Sequence, residues 1–193
     1  MNFAKYFLLI IFSIGIFSGQ AKAENNLHLI DSDPTTGFAI YRYSKPDKND
    51  MKMLCDLGIE EVVVLSGTAT KHEYKYQTEC PTLKVVYNEE QSTKVPVTAQ
   101  FLTFFDSWVE DAKVTGKKIA FRCECGCHRT GRLAAYYQMK YQKLTTNDAT
   151  VIMMKHGKWM WTQPQLVPQV RDLANFIQEK PCEESEKYCV IRD

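Results

Sequence analysis

The stretch KKIAFRCECGCHRTGRLAAYYQMKYQKL, residues 117–144, decides the fold of this chain. Its first six residues are typical of a short strand, and residues 131–144 are rich in strong helix formers. The residues between them predict a short loop that leads from a strand into a helix. In a parallel α/β sheet such a loop lies at the carboxyl end of the strand, where ligands bind. The sequence therefore predicts a binding site at 123–130.

Segments on both sides continue the alternation of strands with helices. Strands are predicted before Pro46, at Ile59–Leu65 and at 83–87, and helices at Asp47–Leu57, at Ala99–Ala112, from Asn147-Asp148 as the cap to His156, and at Pro164–Gln178. This order predicts a single α/β domain over 24–193, with a central, mainly parallel sheet flanked by helices. We expect a loose N-terminal arm at 24–36 and a polar C-terminal tail at 181–193.

The first 23 residues have the layout of a targeting segment. An apolar run at Phe7–Phe17 follows Lys5, and small residues end it at Ala21-Lys22-Ala23. This predicts a signal peptide over 1–23, cleaved before Glu24, and a periplasmic or secreted protein. The alternative is an uncleaved membrane anchor, which the shortness of the run disfavours.

Cleavage changes the charge of the chain. Without Lys5 and Lys22 it has 22 basic and 23 acidic residues, a net charge of −1. Because no broad basic field remains, we expect neither a nucleic-acid partner nor a membrane partner after cleavage. We also expect a monomer.

Export also bears on the seven cysteines. In an oxidising compartment cysteines tend to pair, and an odd number leaves at least one free. We predict the pairs Cys182–Cys189 and Cys55–Cys80, the alternative being free buried thiols.

The loop has the residues of an anion site. The N-terminal end of the following helix offers free N–H groups and the positive end of its dipole, which should lower the pKa of Cys123. Arg129 can return its planar guanidinium to an oxyanion. Gly126 and Gly131 let the backbone curl so that its amides point inward. The Thr130 hydroxyl can stabilise the Cys123 thiolate.

In these residues the chain resembles the protein tyrosine phosphatase superfamily, whose signature C-x5-R-[ST]-G is matched at 123–131. The segment YRYSKPDKNDMKMLCDLGIEEVVVLSG, residues 41–67, is similar to the N-terminal part of small dual-specificity-like phosphatases. The resemblance implies a Cys123 nucleophile, a phosphocysteine intermediate and no cofactor. It also implies that the loop amides hold the phosphate oxygens, at Glu124, Cys125, Gly126, Cys127, His128 and Arg129. One departure is Arg122, where the family usually has histidine.

A metal site is the alternative interpretation of Cys123, Cys125, Cys127 and His128. Neighbouring thiols on a strand point to opposite faces, and no second cysteine pair lies at a fitting distance, so we predict no metal. Cys125 and Cys127 either fill space or trap Cys123 as a reversible disulfide.

The general acid is expected on the loop at 87–96, about thirty residues before the nucleophile in this superfamily. That loop has no aspartate, and Glu89 is favoured over Glu90 because of its distance from Phe101-Leu102. Asp106 and Asp111 are weaker candidates. The alternative is that both glutamates are a solvated charge pair.

The combination of export with this signature resembles bacterial phytases that are similar to protein tyrosine phosphatases. The predicted substrate is therefore phytate or another inositol polyphosphate. The residues that could contact it are Lys71, His72, Lys94, Arg132 and Gln163. Trp159 and Trp161 could wall the pocket or pack in the core. The alternatives are a protein tyrosine or dual-specificity phosphatase and a catalytically weak phosphate-binding module.

Overall fold

The structure, a computed structural model, describes residues 26–192. The predicted signal peptide lies outside the described residues. Five strands form one sheet in the order β1-β2-β5-β3-β4. Their bounds are β1 His28–Ser32, β2 Ala39–Tyr43, β3 Ile59–Val64, β4 Lys84–Asn88 and β5 Lys118–Arg122. All neighbours are parallel except β1, which pairs antiparallel with β2 at the edge. The predicted α/β fold with a mainly parallel sheet is confirmed.

Five helices flank this sheet. They are α1 Lys48–Asp56, α2 Ala99–Thr115, α3 His128–Tyr141, α4 Thr146–His156 and α5 Leu166–Ile177. The predicted cap of α4 was wrong, since the Thr145 hydroxyl accepts from the Asp148 amide and caps the helix two residues before Asn147. Threonine is a good cap because its oxygen satisfies one of the free N–H groups of the first turn.

β5 is the centre of the molecule. Ile119 and Phe121 face the larger apolar core, which α2, α3, α4 and α5 cover, and Ala120 faces a smaller core on the α1 side. Burial on both faces explains the continuous apolar run IAF in the strand. Because β5 is central, the loop that follows it emerges in the middle of the carboxyl edge of the sheet.

Residues 26–36 of the N-terminal arm are ordered, contrary to the expectation of a loose segment. Part of it forms β1, and the Asn26 side-chain amide donates to the carbonyls of Cys125 at 3.2 Å, Gly126 at 2.9 Å and His156 at 3.3 Å. The start of the described chain therefore fastens the loop after β5.

The C-terminal tail is held to the domain as well. The Cys182–Cys189 disulfide is present, as predicted, and the Val190 amide donates to the buried Asp172 carboxylate at 2.6 Å. The predicted Cys55–Cys80 pair was wrong, because both cysteines are free. Each of these two sulfurs instead lies 3.9 Å from the Thr82 hydroxyl oxygen. Within residues 26–192 no helix combines the length and apolar character needed to cross a bilayer.

Candidate active site

The loop between β5 and α3 forms the wall of a cavity of about 300 Å³. Cys123 follows β5 directly and is 1% exposed. Gly126 has φ +64°, and a Cβ there would lie 2.5 Å from the Tyr43 carbonyl oxygen, so only glycine fits this turn. The cavity is lined by Glu90, Gln91, Ser92, Thr93, Lys94, Cys123, Glu124, Cys125, His128 and Arg129.

Arg129 lies in the first turn of α3 and joins the two walls of the cavity. Its Nη1 donates to the carbonyl oxygens of Leu65 and Gln91, both at 3.1 Å. Within residues 26–192 its Nε and Nη2 have no recorded protein acceptor, so they remain for an oxyanion in the cavity. Arg129 and Cys123 therefore line the same cavity.

The pKa of Cys123 differs from the prediction. The Cys125 thiol and burial raise the pKa of Cys123 to about 12, although the Thr130 hydroxyl and backbone act in the opposite direction. The end of the helix was expected to lower this pKa, whereas the neighbouring thiol and burial raise it. The Thr130 hydroxyl is fully buried and accepts or donates no hydrogen bond to another side chain or carbonyl within residues 26–192. It can therefore turn toward the Cys123 sulfur.

Cys125 and Cys127 are part of the site. The Cys127 amide donates to the Cys125 sulfur at 3.2 Å, so a thiol occupies one of the N–H groups that were assigned to phosphate. The Cys125 side chain holds the pKa of Cys127 down to about 7, although burial opposes this. The thiol with the lowest pKa of the three is therefore Cys127. Cys125 does more than fill space, because its sulfur interacts with Cys123 and with the backbone of the loop.

Arg42 lies beneath the loop with 2% of its surface exposed. Its Nη2 donates to the Gly126 carbonyl at 2.6 Å, while Nε and Nη1 are buried without a hydrogen-bond partner. Burial lowers the pKa of Arg42 to about 10, and the thiols of Cys123, Cys127 and Cys125 act against that shift. A guanidinium in this position favours a thiolate in the loop above it.

Arg122 does not replace the histidine of the family pattern at the thiol. Its guanidinium is fully buried and forms an ion pair with the Glu73 carboxylate, which also accepts from the Tyr43 hydroxyl at 3.0 Å. Its Nη1 donates to the hydroxyls of Ser66 at 3.0 Å and Thr68 at 3.1 Å. Arg122 therefore anchors the base of the site and does not act on the Cys123 thiol.

Glu124 has its side chain turned toward this network. Its carboxylate accepts from the Thr68 hydroxyl at 2.7 Å and lies 3.8 Å from the Lys45 ammonium. Burial raises the pKa of Glu124, but the Thr68 hydroxyl and the Arg122 charge outweigh it and hold the pKa below its usual value. A fixed anion therefore borders the cavity.

The two glutamates of the loop at 87–96, which we call the acid loop, are placed differently. Glu90 lines the cavity with Cys123, whereas the Glu89 carboxylate accepts from the Tyr87 hydroxyl at 3.3 Å and lies outside the cavity lining. The preference for Glu89 is therefore replaced by Glu90. Asp106 accepts hydrogen bonds from Tyr136, Tyr141 and Lys140, and Asp111 pairs with Lys117, so both are engaged elsewhere.

Arg132 was expected to contact substrate but is 1% exposed. Its Nη1 donates to the Val95 carbonyl at 3.0 Å and to the Gln169 side chain, and its Nη2 donates to the Ser92 carbonyl at 3.2 Å. Gln169 donates in turn to the Thr93 carbonyl at 3.1 Å. Arg132 and Gln169 therefore tie residues 92–95 of the acid loop to α3 and α5.

The other predicted contacts are divided between two places. Lys94 and His128 line the cavity beside Cys123, whereas Lys71 and His72 line a neighbouring surface cavity. Gln163 is outside the cavity lining, and its side chain accepts from Gln165 at 2.8 Å. Trp159 and Trp161 are 76% and 81% exposed, so the core-packing alternative was wrong for both.

Three residues of the site had no functional role in the sequence-based prediction, namely Arg42, Glu73 and Gln169. Arg42 lies on a strand with apolar and aromatic neighbours, and a charge in such a run is a signal for a buried polar role. Glu73 lies in the polar segment 68–78, where it cannot be told from surface residues by pattern. Gln169 lacks any local signal, because only the fold brings it to the acid loop.

Comparison with known proteins agrees with this geometry. The model of the family "Dual specificity phosphatase, catalytic domain" matches residues 40–176. No curated protein matches the chain in sequence.

Solved structures share the fold at low sequence identity. TpbA of P. aeruginosa is 19% identical, with a TM-score of 0.57, and the match covers 78% of this chain and 96% of that one. SIW14 of S. cerevisiae, described as a PP-IP phosphatase, is 15% identical, with a TM-score of 0.62 and coverage of 80% and 88%. PTPMT1 in complex with PI(5)P is 15% identical, with a TM-score of 0.58 and coverage of 79% and 97%. The family match spans most of the chain, and the chain therefore belongs to the dual specificity phosphatases of the protein tyrosine phosphatase-like superfamily.

Proposed function

We propose that this phosphatase is an exported, cysteine-dependent phosphomonoester hydrolase that works through a phosphocysteine. The observation that carries the proposal is the shared cavity of Cys123, Arg129 and Glu90 at the carboxyl end of β5. Nucleophile, oxyanion clamp and proton donor are the three groups that this reaction needs.

In the first step the Cys123 thiolate attacks phosphorus, and the P–O bond to the leaving group breaks. Arg129 and the free loop amides hold the non-bridging oxygens, while the Glu90 carboxyl gives its proton to the leaving oxygen. In the second step Glu90, now a carboxylate, takes a proton from water as the water attacks phosphorus. The P–S bond then breaks, and Thr130 stabilises the returning thiolate.

Substitution of the acting groups tests this mechanism. Cys123→Ser should reduce turnover of p-nitrophenyl phosphate to background, because the alkoxide is not formed at neutral pH. Glu90→Gln should lower kcat by roughly a hundredfold for a general acid, while Glu89→Gln serves as the matched control and should stay near the wild-type rate. Full activity of Cys123→Ser would rule out the mechanism, and a larger loss with Glu89→Gln would return the acid role to Glu89.

The proposed substrate class is inositol phosphates, with phytate as the polyphosphate to test first. Lys94 and His128 lie beside Arg129 in the cavity and could hold a second phosphate. Two structural neighbours support the class, since SIW14 is described as a PP-IP phosphatase and PTPMT1 was solved with PI(5)P. Phosphotyrosine is the second candidate, because a structure of TpbA contains pTyr.

A substrate panel distinguishes these cases. Release of inorganic phosphate would be measured from phytate, from inositol phosphates with fewer phosphates, from a phosphotyrosine peptide and from p-nitrophenyl phosphate, with and without EDTA. We expect turnover to survive EDTA and to be fastest with an inositol phosphate. Faster turnover of the peptide would assign a tyrosine phosphatase, and no turnover of any compound would leave a phosphate-binding module. N-terminal sequencing of the exported protein would test cleavage before Glu24, and size-exclusion chromatography would test the expected monomer.

A further inference from the structure

Two tryptophans are on the surface in one short turn. Trp159 is 76% exposed and Trp161 is 81% exposed, while the third tryptophan of the chain, Trp108, is 6% exposed. Large aromatic side chains are expensive to leave in water, so two of them within three residues need an explanation. Neither the fold nor the proposed catalytic steps use them.

The turn holds the tryptophans in place. Met160, between them, is 6% exposed and belongs to the main apolar core, so it anchors the turn. The Thr162 amide and hydroxyl donate to the Trp159 carbonyl at 3.0 Å and 2.8 Å. Trp159 has φ +52°, a conformation that costs a bulky residue roughly 1–3 kcal/mol. The fold therefore maintains a strained backbone that displays both rings.

The turn is attached to the catalytic loop. The His128 Nε2 lies 2.8 Å from the Lys158 carbonyl oxygen, and because a carbonyl only accepts, Nε2 carries the proton. His128 itself lines the cavity of Cys123 and begins α3. The turn that contains the two tryptophans is therefore close to the cavity that contains Cys123.

The charge along this stretch of the chain is one-sided. From Ala149 to Arg171 the chain has no aspartate or glutamate. Lys155 and Lys158 are exposed, and no acidic partner is recorded for either within residues 26–192. In the last turn of α4, Met154 adds an apolar side chain that is 43% exposed. The exposed side chains of this stretch thus include aromatic, apolar and basic groups.

We propose that this tryptophan turn, residues 158–162 with Lys155, docks on an anionic lipid bilayer and presents the cavity to phosphomonoester headgroups. Tryptophan favours the interfacial region of a bilayer, where its ring is apolar and its N–H stays wet, and lysines beside it are attracted to anionic lipids. The catalytic part of this inference rests on the proposed function, and the docking part does not. The expectation of no membrane partner considered only the net charge of the mature chain, whereas the attraction to anionic lipids proposed here comes from the lysines beside the turn.

Vesicle binding tests the docking directly. The full-length mature protein would be mixed with vesicles of phosphatidylglycerol and phosphatidylcholine, and with vesicles of phosphatidylcholine alone. We expect binding to the anionic vesicles, weakened by salt, with a blue shift of tryptophan emission. The double substitution Trp159→Asn with Trp161→Ser should weaken partitioning by at least about tenfold, and asparagine tolerates the positive φ. Lys155→Glu and Lys158→Glu should each weaken it by roughly fivefold.

Matched controls are available elsewhere on the surface. Val114→Ser removes an apolar side chain that is 85% exposed on α2, and Lys52→Glu reverses an exposed charge on α1. Neither should change binding. With the double tryptophan variant, hydrolysis of p-nitrophenyl phosphate in solution should stay at the wild-type rate, while hydrolysis of PI(5)P in vesicles should fall with binding.

The possible failures are distinguishable. No binding of the wild-type protein to anionic vesicles, with p-nitrophenyl phosphate still hydrolysed, overturns the docking and leaves the proposed function intact. An emission shift with a phosphotyrosine peptide but not with vesicles would also overturn it and would assign the turn to a protein partner. Binding without any phosphatase activity would support the docking and refute the proposed function.

Discussion

The chemistry of this site is decided by which of three sulfurs loses its proton. Cys123 is the proposed nucleophile, but Cys125 interacts with it and, together with burial, raises its pKa to about 12. Cys127, whose pKa is about 7, is the thiol that ionises most readily. A phosphate oxygen that approached the Cys127 amide would compete with the Cys125 sulfur, which accepts from that amide at 3.2 Å.

Removal of Cys125 should make Cys123 a stronger acid. In Cys125→Ala the pKa of Cys123 falls because its hydrogen-bond acceptor and its repelling neighbour are both gone. The acid limb of the profile of kcat/KM against pH, measured with p-nitrophenyl phosphate, should move down by on the order of one to two pH units. Cys55→Ala removes a thiol outside the site and should leave the profile unchanged. An unaltered profile in Cys125→Ala would show that Cys125 does not control the nucleophile.

Glu73 should be critical for stability. Glu73→Gln leaves the Arg122 guanidinium fully buried without its counter-ion. We expect a loss of about 3–5 kcal/mol in the free energy of unfolding, measured by urea denaturation. The control is Glu79→Gln, which breaks a surface pair with Lys48 and should cost less than about 1 kcal/mol. Equal losses in the two variants would refute the role, and the double substitution Glu73→Leu with Arg122→Met should recover part of the loss.

At the scale of elements, the acid loop is attached to two helices rather than free. Arg129 and Arg132 from α3 and Gln169 from α5 donate to the carbonyls of Gln91, Thr93 and Val95. All of these bonds are made within the protein. The loop with the proposed general acid, Glu90, is therefore held against the cavity.

Arg132→Met should release this loop. We expect kcat to fall by roughly tenfold to a hundredfold for alkyl phosphates, whose leaving groups need a proton, and much less for p-nitrophenyl phosphate. That contrast separates loss of the acid from general loss of structure, which would lower both rates alike. Arg171→Met, at a surface pair with Glu184, is the control and should change neither rate.

The elements that the sequence predicted are those with strong local patterns. The helices α1 to α5 and the strands β2 to β5 were all predicted, and the clearest signals are the helical periodicity of α2 and the buried apolar runs of β3 and β5. β1 was missed because its sequence HLIDS is half polar, and a short edge strand is stabilised by its pairing with β2 and not by its own residues. The shared cavity of Cys123 and Arg129 was predictable because they lie six positions apart in one motif, whereas Arg122 and Glu73 lie 49 positions apart and meet only in the folded chain.

At the scale of the whole molecule, two histidines join the N-terminal strand to α4. The rings of His28 on β1 and His156 at the end of α4 have centroids 4.2 Å apart. Burial, with the charge of Arg42 and the neighbouring His28, lowers the pKa of His156 to about 4, and burial also lowers the pKa of His28. Both rings are therefore neutral in the folded protein at neutral pH.

Acid should weaken the fold through this pair. Below the ordinary histidine pKa of 6.5, His156 is protonated in the unfolded chain, whereas in the folded protein it stays neutral until about pH 4. The free energy of unfolding therefore decreases as the pH falls across that interval. We expect a loss of roughly 1–2 kcal/mol after allowance for solvent screening. Urea denaturation at both ends of the interval should show a smaller loss in His156→Asn than in the wild type. His72→Asn should behave as the wild type, and an equal pH dependence in His156→Asn would contradict the assignment.

The attached acid loop has a consequence for substrate breadth. An enzyme that closes a loop on binding uses its contacts with remote parts of the substrate to drive the closure. A truncated substrate therefore has a lower kcat. Here the loop is held by Arg132 and Gln169, which belong to the protein itself. Once bound, a bare phosphoester should therefore react nearly as fast as a large one. Selectivity among substrates should appear in KM and should depend on the location of the protein, and it should not appear in the rate of the chemical step.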